Sequence, residues 1–464
     1  MRRVATFIVA VGLTIIGIGG TAVSRPGAAP PGAAGARLAA LRLAAQISHD
    51  AAPVKVVRFA GYMIDVPASW PVYDLDRHPA TCERYDRNAL YLGHPGANQE
   101  CPARLIGRVA TISLQVPSAT AGPAAGLPAA GGLAAFPAVG NLPRVGGSVV
   151  ADSQDHELYA SLQSPGLSIS ATYGGAAAST IKIIQSLRRS PSGRAASSAG
   201  TAAGSAAGPA TPAGGGAASR PGAGPGRANA VSGHVTGKGF DACTAPSLTV
   251  MQAWHKAFSY AGIYIGGSEV GCGYGNLTAA WVSAVTSLGW GLIPTYVGRQ
   301  ATCNKQFKIR VIPAQAAAEG QAAALDAVRH AAAFGMGRRT PIYYDMESFN
   351  TSKAACVSPV LTFLDAWTRQ IHASGYVSGV YSSASTGAEA VGLATVVNGR
   401  LMVKPDSLWF AFWDGQSNVT GTPYLPDWWW QSNRIKQYMG AHNRKINGFT
   451  LNIDADLVRG AVFR

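Results

Sequence analysis

The chain has 464 residues, more than one ordinary domain needs, and its 13% charged and 47% hydrophobic residues indicate a globular protein rather than a disordered one. A formal net charge of +15 and a pI near 9.7 favour anionic surroundings, so we expect anionic envelope polymers among its partners. Nucleic acid is disfavoured, because the basic residues are scattered and no basic helix, RNP-type pattern or zinc finger accompanies them.

The first 23 residues have the layout of an export signal. Two arginines precede an apolar run from Val4 to Ile18, and small residues follow through Ala22. Because the run is shorter than the ~20 residues that span a bilayer, a cleaved signal peptide is favoured over a retained signal-anchor. We therefore predict a secreted or envelope-associated protein. Residues 24–48, rich in Pro, Gly and Ala, follow as a flexible lead with a candidate short helix at LAALRLAAQI.

Residues 49–189 are predicted to form a small β-rich domain. Alternating apolar and polar residues, broken by Pro and Gly, predict strands in VKVVRFAGYMIDVPASWPVYDL, ALYLG, RVATISLQV, HELYASLQS and LSISATYGG. A helix at STIKIIQSLRR closes the domain, and a stretch rich in Ala, Gly and Pro, from Ala119 to Gly140, is expected to be a long loop. Residues 190–232 have the Ser, Gly, Ala and Pro composition of a disordered linker.

Residues 233–464 alternate short apolar runs with helical stretches. The runs, in chain order, are GKGFDAC, AGIYIGG, GWGLIPTYVG, PIYYDMES, GVYSS, LWFAFWDG, RIKQYMG and FTLNIDADLV. Eight strands separated by helices predict an α/β fold of the parallel (β/α)₈ TIM type. A doubly wound sheet is the alternative, but it would usually place a Gly-rich phosphate loop after its first strand, and FDACTAPS is not one. We expect no cofactor.

The six cysteines fit an oxidising compartment. Metal ligation is disfavoured, because the chain has no CxxC pair and no His at ligand spacing from a Cys, so no metal is expected. Cys82 and Cys101 are expected to form one bridge. The other four allow three connectivities, of which we favour Cys272–Cys303 with Cys243–Cys356.

Acidic residues stand at the predicted carboxyl ends of the strands, where barrels carry their active sites. They are Asp241 after the first run, Asp345 and Glu347 after the fourth, Asp414 after the sixth, and Asp454 and Asp456 after the eighth. Strand side chains alternate in direction, so Asp345 and Glu347 share one face with Tyr343. The sequence leaves open whether that face points into the barrel.

An inward-pointing carboxyl pair has a chemical use. Burial and mutual repulsion raise the pKa of one member until it can donate a proton near neutrality. Glycoside hydrolysis needs such a donor together with a second group that stabilises the oxocarbenium-like centre or activates a nucleophile. A solvated pair of strand-end acids and a metal site are the alternatives.

Aromatic residues in or between the sixth and seventh strands provide flat rings that could stack on a sugar, with core packing as the alternative. They are Trp409, Trp413, Trp428, Trp429, Trp430 and Tyr438. The WWW run follows Pro426 in a loop, so Trp429 or Trp430 is a candidate platform. The candidate substrate-binding residues are therefore Tyr343, Trp413, Asp414, Trp430 and Tyr438.

A set of motifs in the last half of the chain resembles a known family. GFDAC, YIGG, GLIPTYVGRQ, PIYYDMES, GVYSS, LWFAFWDG, KQY and NIDADL, in that order, resemble the glycoside hydrolase-like domain of unknown function found in exported bacterial proteins, which is similar, more distantly, to the family 25 lysozymes. The resemblance covers Gly237 to Arg464. It implies Glu347 as the proton donor, Asp345 as the group that orients or stabilises the substrate N-acetyl, and Asp241 and Asp454 as supporting acids, beside which we add Asp456.

The predicted function is action on cell-wall peptidoglycan or a related amino-sugar glycan, as a hydrolase of the lysozyme or muramidase type. A binding module that holds glycan without cutting it, and a structural envelope protein, are the alternatives. A serine nucleophile is disfavoured, because no GxSxG occurs.

Overall fold

The computed structural model describes residues 53–117, 136–163, 166–191 and 235–464. Val54–Arg464 form one compact unit. The predicted signal peptide and lead, residues 192–232 of the predicted linker, and residues 119–135 of the predicted loop lie outside the described residues. Among the helices that are described, none is both long enough and apolar enough to cross a membrane.

The described part of residues 53–191 is β-rich, as predicted. Its elements are β1 (Val54–Phe59), β2 (Tyr62–Pro67), β3 (Val72–Asp74), β4 (Ala89–Leu92), β5 (Thr111–Gln115), β6 (Ala138–Asn141), β7 (Ser148–Asp152), β8 (Glu157–Gln163), β9 (Gly166–Thr172), α1 (Ala178–Gln185) and β10 (Arg188–Arg189). One sheet has the order β1-β2-β10, and the other has the order β3-β4-β5-β9-β8-β7-β6. Strands β6 and β7 were not predicted, since the AVGN sequence of β6 lacks apolar alternation and its side chains are largely exposed.

The second part is a closed barrel. Its elements are β11 (Val235–Asp241), α2 (Leu248–Trp254), β12 (Tyr260–Gly266), α3 (Ala279–Ser287), β13 (Gly291–Tyr296), α4 (Ala316–Ala333), β14 (Pro341–Asp345), α5 (Ala354–Ala373), β15 (Val377–Ser383), α6 (Glu389–Leu393), β16 (Val396–Val397), β17 (Arg400–Leu401), β18 (Ser407–Ala411), β19 (Arg434–Ile446) and β20 (Phe449–Gly460). The hydroxyls of Ser247 and Thr278 accept the N–H groups of Val250 and Trp281, which caps α2 and α3. Eight strands close in the order β11-β12-β13-β14-β15-β18-β19-β20.

The α/β class and the closed eight-stranded barrel are confirmed, but the eight parallel β/α units are not. Strand β20 is antiparallel to both of its neighbours, β19 and β11. Asn447 and Gly448, with φ of 47° and 88°, connect β19 to β20. Two residues with positive φ form a tight hairpin turn, which leaves no room for a helix and reverses the chain. Residues 412–433, which join β18 to β19, also contain no helix.

The barrel interior holds one face of β14. Tyr343 packs inside with Trp409, at 6.1 Å between ring centroids. Tyr344 packs on the outside against Phe363 of α5, at 4.8 Å. Asp345 has the parity of Tyr343, so the face that carries the acid pair points inward, which answers the question that the sequence left open.

Three disulfides are present. Cys82–Cys101 is the expected bridge, but our favoured connectivity for the other four cysteines was wrong. The structure joins Cys243 to Cys272 and Cys303 to Cys356, with Cα–Cα distances of 6.1 and 5.5 Å. Each bridge joins segments that follow neighbouring strands, β11 with β12 and β13 with β14, because the carboxyl ends of adjacent parallel strands lie side by side.

Residues 101–108 of the β-rich part run across the carboxyl end of the barrel, and we call them the crossing segment. The Ala103 N–H donates to Oδ1 of Asn452 at 2.7 Å. The Leu105 carbonyl accepts the N–H of Gly271 at 3.0 Å. A Cβ at Gly271 would lie 2.4 Å from that carbonyl, so only glycine permits this close approach. The crossing segment is therefore packed directly on the barrel.

Candidate active site

Five carboxyl groups gather at the carboxyl end of the barrel. Asp241 and Asp345 end β11 and β14, Glu347 follows β14 by two residues, and Asp454 and Asp456 lie on β20. Because β20 runs antiparallel, its middle lies opposite the end of β11, and Asp454 pairs in register with Asp241. The four aspartates are buried, with exposed fractions of 0 to 2%.

Gln437 of β19 connects the acids to the aromatic side of the site. Its Nε2 donates to Oδ2 of Asp241 at 3.0 Å and to Oδ2 of Asp454 at 3.2 Å. Its Oε1 accepts the Tyr381 hydroxyl at 3.0 Å and the indole N–H of Trp413 at 2.9 Å. The amide therefore has a partner for each of its polar atoms, which fixes the orientation of both aspartates.

Gln300 holds the backbone of the acid pair. Its Nε2 donates to the carbonyl of Asp345 at 2.8 Å, and its Oε1 accepts the N–H of Glu347 at 2.7 Å. Gln300 is fully buried. The positions of Asp345 and Glu347 are thus set by a buried side chain rather than by a mobile loop.

The buried aspartates retain protons to unusually high pH. Burial, followed by the charge of Glu347, raises the pKa of Asp345 well above its ordinary value. Burial and the charge of Asp241 likewise raise the pKa of Asp456 well above its ordinary value. Burial, with the charge of Asp241, raises the pKa of Asp454 to about 8. Burial is the largest cause of each of these shifts, because a carboxylate that has lost its hydration is costly, and the neighbouring carboxylates add to it.

Arg104 of the crossing segment supplies a positive charge to this group. Its guanidinium forms an ion pair with Oε2 of Glu347 and lies over the ring of Tyr381, 5.4 Å from the centroid. Oε1 of Glu347 and Oδ1 of Asp345 are buried and have no hydrogen-bond partner among the described residues. Unfilled acceptors of this kind leave capacity for a ligand.

A cleft of about 320 Å³ opens beside the pair, within the usual range for small-molecule sites. Its lining includes Arg104, Glu347, Tyr381, Ser383, Ser385, Trp413 and Tyr424. A second cleft, of about 490 Å³, lies against the start of the crossing segment and the β19–β20 hairpin, lined by residues such as Asn98, Cys101 and Asn452. Glu347 lines the first cleft and not the second, whereas Asp345 is buried behind it and lines neither.

Of the five predicted substrate-binding residues, Trp413 lines the cleft, with 58% of its surface exposed. Tyr343 is fully buried, and its hydroxyl donates to the carbonyl of Ala461 at 2.8 Å. The other three are placed outside the cleft lining. The Asp414 carboxylate pairs with Lys436 at 2.8 Å, the Trp430 indole donates to the carbonyl of Pro405 at 2.7 Å, and the Tyr438 carbonyl accepts the N–H of Gly415 at 3.0 Å.

The other three tryptophans of the predicted aromatic set lie in the core or at the surface. Trp409 is buried, and its indole donates to Oδ1 of Asp456 at 3.0 Å. Trp429 is half-buried against the outer core, whereas Trp428 is 73% exposed. The WWW run is thus not part of the cleft beside the acid pair.

Four residues of the site were not among our candidates: Arg104, Gln300, Tyr381 and Gln437. Gln437 lies in the middle of the seventh run and in the KQY motif, so its position could have indicated it. Arg104 comes from a different part of the chain, and no local pattern marks it. Its role depends on how the crossing segment packs.

One further cluster has the composition of a metal site. Asp155, Asp326 and His330 have ligand atoms that all lie within 4.8 Å of one another. However, Nε2 of His330 pairs with Asp155 at 2.6 Å, and Arg329 pairs with Asp326. Burial lowers the pKa of His330, but the charge of Asp155 outweighs it and raises that pKa to about 9. A protonated imidazole cannot bind a metal, so these residues fit an ion-pair cluster better.

The comparison with protein families bears on the barrel. Residues 252–458, from α2 to β20, match the family model described as Rv2525c-like, glycoside hydrolase-like domain. The barrel matches a glycoside hydrolase-like family. This finding confirms, for residues 252–458, the resemblance seen in the sequence motifs.

Comparison with solved structures gives matches with low TM-scores and low sequence identity. An uncharacterized B. stearothermophilus protein has 20% sequence identity and a TM-score of 0.32, with 48% of this chain and 95% of that chain covered. The modular autolysin LytC from Streptococcus pneumoniae has 11% identity and a TM-score of 0.31, with 48% and 46% covered. The spore cortex lytic enzyme SleM from Clostridium perfringens has 13% identity and a TM-score of 0.30, with 44% and 60% covered. The chain thus spans less than two thirds of the last two, and a comparison with curated proteins finds no match.

Proposed function

We propose that the barrel cleaves cell-wall peptidoglycan or a related amino-sugar glycan, with Glu347 as the proton donor and Asp345 as its partner. The observation that carries the proposal is an inward-facing acid pair beside a cleft lined by Trp413 and Tyr381. Hydrolysis of a glycosidic bond needs two carboxyl groups with different affinities for protons, and aromatic rings suit the faces of sugars. The family match supports the same class of reaction.

The position of the proton on the acid pair determines the order of the proposed steps. We place the proton of the pair on Asp345, because burial and the charge of Glu347 raise its pKa well above the ordinary value, while Arg104 donates to Oε2 of Glu347. An arginine can only donate hydrogen bonds, so Oε2 of Glu347 is an acceptor in this contact and cannot at the same time donate a proton to a substrate. Catalysis therefore requires Arg104 to leave Oε2 and the proton to pass from Asp345 to Glu347. Glu347 then protonates the leaving-group oxygen as the glycosidic C–O bond breaks, and the Asp345 carboxylate stabilises the positive sugar centre. A water molecule attacks that centre and gives its proton to a carboxylate of the pair, which completes the hydrolysis.

The other acids would act as supports. Gln437 donates to both Asp241 and Asp454, and Oδ1 of Asp456 accepts the indole N–H of Trp409. These contacts fix the positions of the three supporting aspartates. Trp413, held by its indole N–H on Gln437, is the ring best placed to stack on a sugar.

The test is release of reducing ends from purified peptidoglycan and amino-sugar oligomers by the full chain. We expect Glu347→Gln to keep the fold and to lose at least ~10²-fold in rate, the usual contribution of a general acid. Glu389→Gln, at the start of α6 and outside the cleft lining, is the matched control and should keep wild-type activity. Hydrolysis by Glu347→Gln at the wild-type rate would refute the assignment.

A non-catalytic glycan-binding module is the second candidate, and the Arg104–Glu347 ion pair favours it, because that contact occupies the proposed donor. It predicts that peptidoglycan retains wild type and Glu347→Gln equally and that neither releases reducing ends. For either function we infer export, since three disulfides suit an oxidising compartment.

A further inference from the structure

Arg104 has a setting unlike that of the other buried arginine of this region. Arg108 is 0% exposed, its Nε donates to the carbonyl of Val270 at 2.9 Å, and its guanidinium pairs with Glu157 at 2.7 Å. The side chain of Arg104 is 23% exposed and lines the cleft. Arg108 thus has a structural role, because it bonds the β-rich part to the barrel. The positive charge of Arg104 is instead accessible to a ligand in the cleft.

The guanidinium of Arg104 also retains unused donors. It has five N–H groups, and among the described residues Glu347 is its one carboxylate partner within ion-pair distance. Of the residues that the structure describes, no other Arg or Lys lines this cleft. The ring of Tyr381 lies under the guanidinium and keeps it at the cleft when its partner changes.

We propose that Arg104 binds a carboxylate group carried by the glycan, so that the cleft selects an acidic amino-sugar glycan over a neutral one. This inference rests on the proposed function. The carboxylate of the sugar replaces Glu347 as the partner of the guanidinium. One charge-assisted hydrogen bond is thereby exchanged for another. The exchange frees Oε2 of Glu347, and a neutral glycan cannot drive it.

The test is titration calorimetry of the full chain with two matched pairs of oligomers at neutral pH and low salt. In the first pair an amino-sugar oligomer carries an ether-linked acid, either free or as its methyl amide. In the second pair it contains a uronic acid, either free or reduced to the alcohol. We expect wild type to bind one acidic oligomer at least tenfold more tightly than its neutral partner, and the pair that shows the difference identifies the source of the carboxylate.

Variants assign the preference to Arg104. Arg104→Met should bind the acidic and neutral oligomers with equal affinity. Arg84→Met is the matched control, because Arg84 is on the same part of the chain, has a side chain 27% exposed and pairs with Asp86. It should keep the wild-type preference. A preference that persists in Arg104→Met would overturn the inference.

Further outcomes separate this inference from the proposed function. Equal affinity of wild type for acidic and neutral oligomers would overturn the inference and leave the glycan site standing, whereas no binding of any oligomer would overturn both. Arg104→Lys keeps the charge if Arg104→Met fails to fold. Because a lysine lacks the planar fork, we expect a reduced preference, and a preference as large as that of wild type would overturn the assignment to the guanidinium.

Discussion

The acids of the site couple its protonation to the stability of the fold. Asp454 titrates at about 8 in the folded protein, because it is buried and faces Asp241. In an unfolded chain an aspartate titrates near ~3.9. Between these values the folded state binds a proton that the unfolded state has lost, so this group makes the folded protein less stable as pH rises through that window.

Substituting Asp454 by Asn tests this coupling. The amide cannot ionise, so Asp454→Asn should lose less thermal stability than wild type between pH 5 and pH 9. Thermal unfolding followed by circular dichroism at both pH values measures the difference. Asp427→Asn, at a side chain that is 70% exposed, should change with pH as wild type does. An unchanged pH dependence in Asp454→Asn would contradict the raised pKa.

At the scale of elements, the β19–β20 hairpin determines where Asp454 and Asp456 lie. Its turn places Gly448 at a φ of 88°, in exposed surroundings where an added Cβ meets nothing within 4 Å. A residue with a Cβ at this position would therefore meet no steric clash, and its cost would be only that of a left-handed backbone, about 1 kcal/mol.

Gly448→Ala should therefore lower the free energy of unfolding by about 1 kcal/mol, the penalty of a left-handed backbone for a residue with a Cβ. Urea denaturation gives this value. Gly337→Ala is the control, since Gly337 is also unobstructed but does not have a positive φ, and it should be neutral or slightly stabilising. Equal effects of the two substitutions would contradict the turn geometry.

The elements also mark the limit of prediction from sequence. The eight barrel strands were recognisable because each is a short apolar run, and the Asp345–Glu347 face followed from the two-residue period of a strand. The Asn447-Gly448 pair is a known hairpin signal, yet it was missed because the two runs beside it were interpreted as parallel strands. The cysteine partners depended on strand adjacency in the closed barrel, which spacing along the chain does not contain.

At the scale of the whole molecule, the β-rich part and the barrel share one site and one buried interface. Arg108 is fully buried between them, bonded to Glu157 on one side and to the carbonyl of Val270 on the other. Arg104 reaches Glu347 from the same crossing segment. Sequence patterns describe each part separately, so the contribution of Arg104 to the site could not be predicted from them.

Arg108→Met should destabilise the full chain by about 3 kcal/mol or more, because removing one partner of a buried ion pair leaves the other uncompensated. Urea denaturation followed by tryptophan fluorescence and by far-UV circular dichroism measures this, and in wild type the two transitions should coincide. Arg77→Met, at a side chain 82% exposed, should fall within about 0.5 kcal/mol of wild type. Separate transitions in wild type would contradict a single cooperative unit.

The pairing of β11 with β20 has a consequence for the order in which the molecule is completed. These strands are the first and the last of the barrel, so the wall between them cannot form until the final residues of the chain are available. A chain that stops before Phe449 would leave both β11 and β19 with open, aggregation-prone edges. It would also lack Asp454 and Asp456, so closing the barrel and completing the acidic site are the same event.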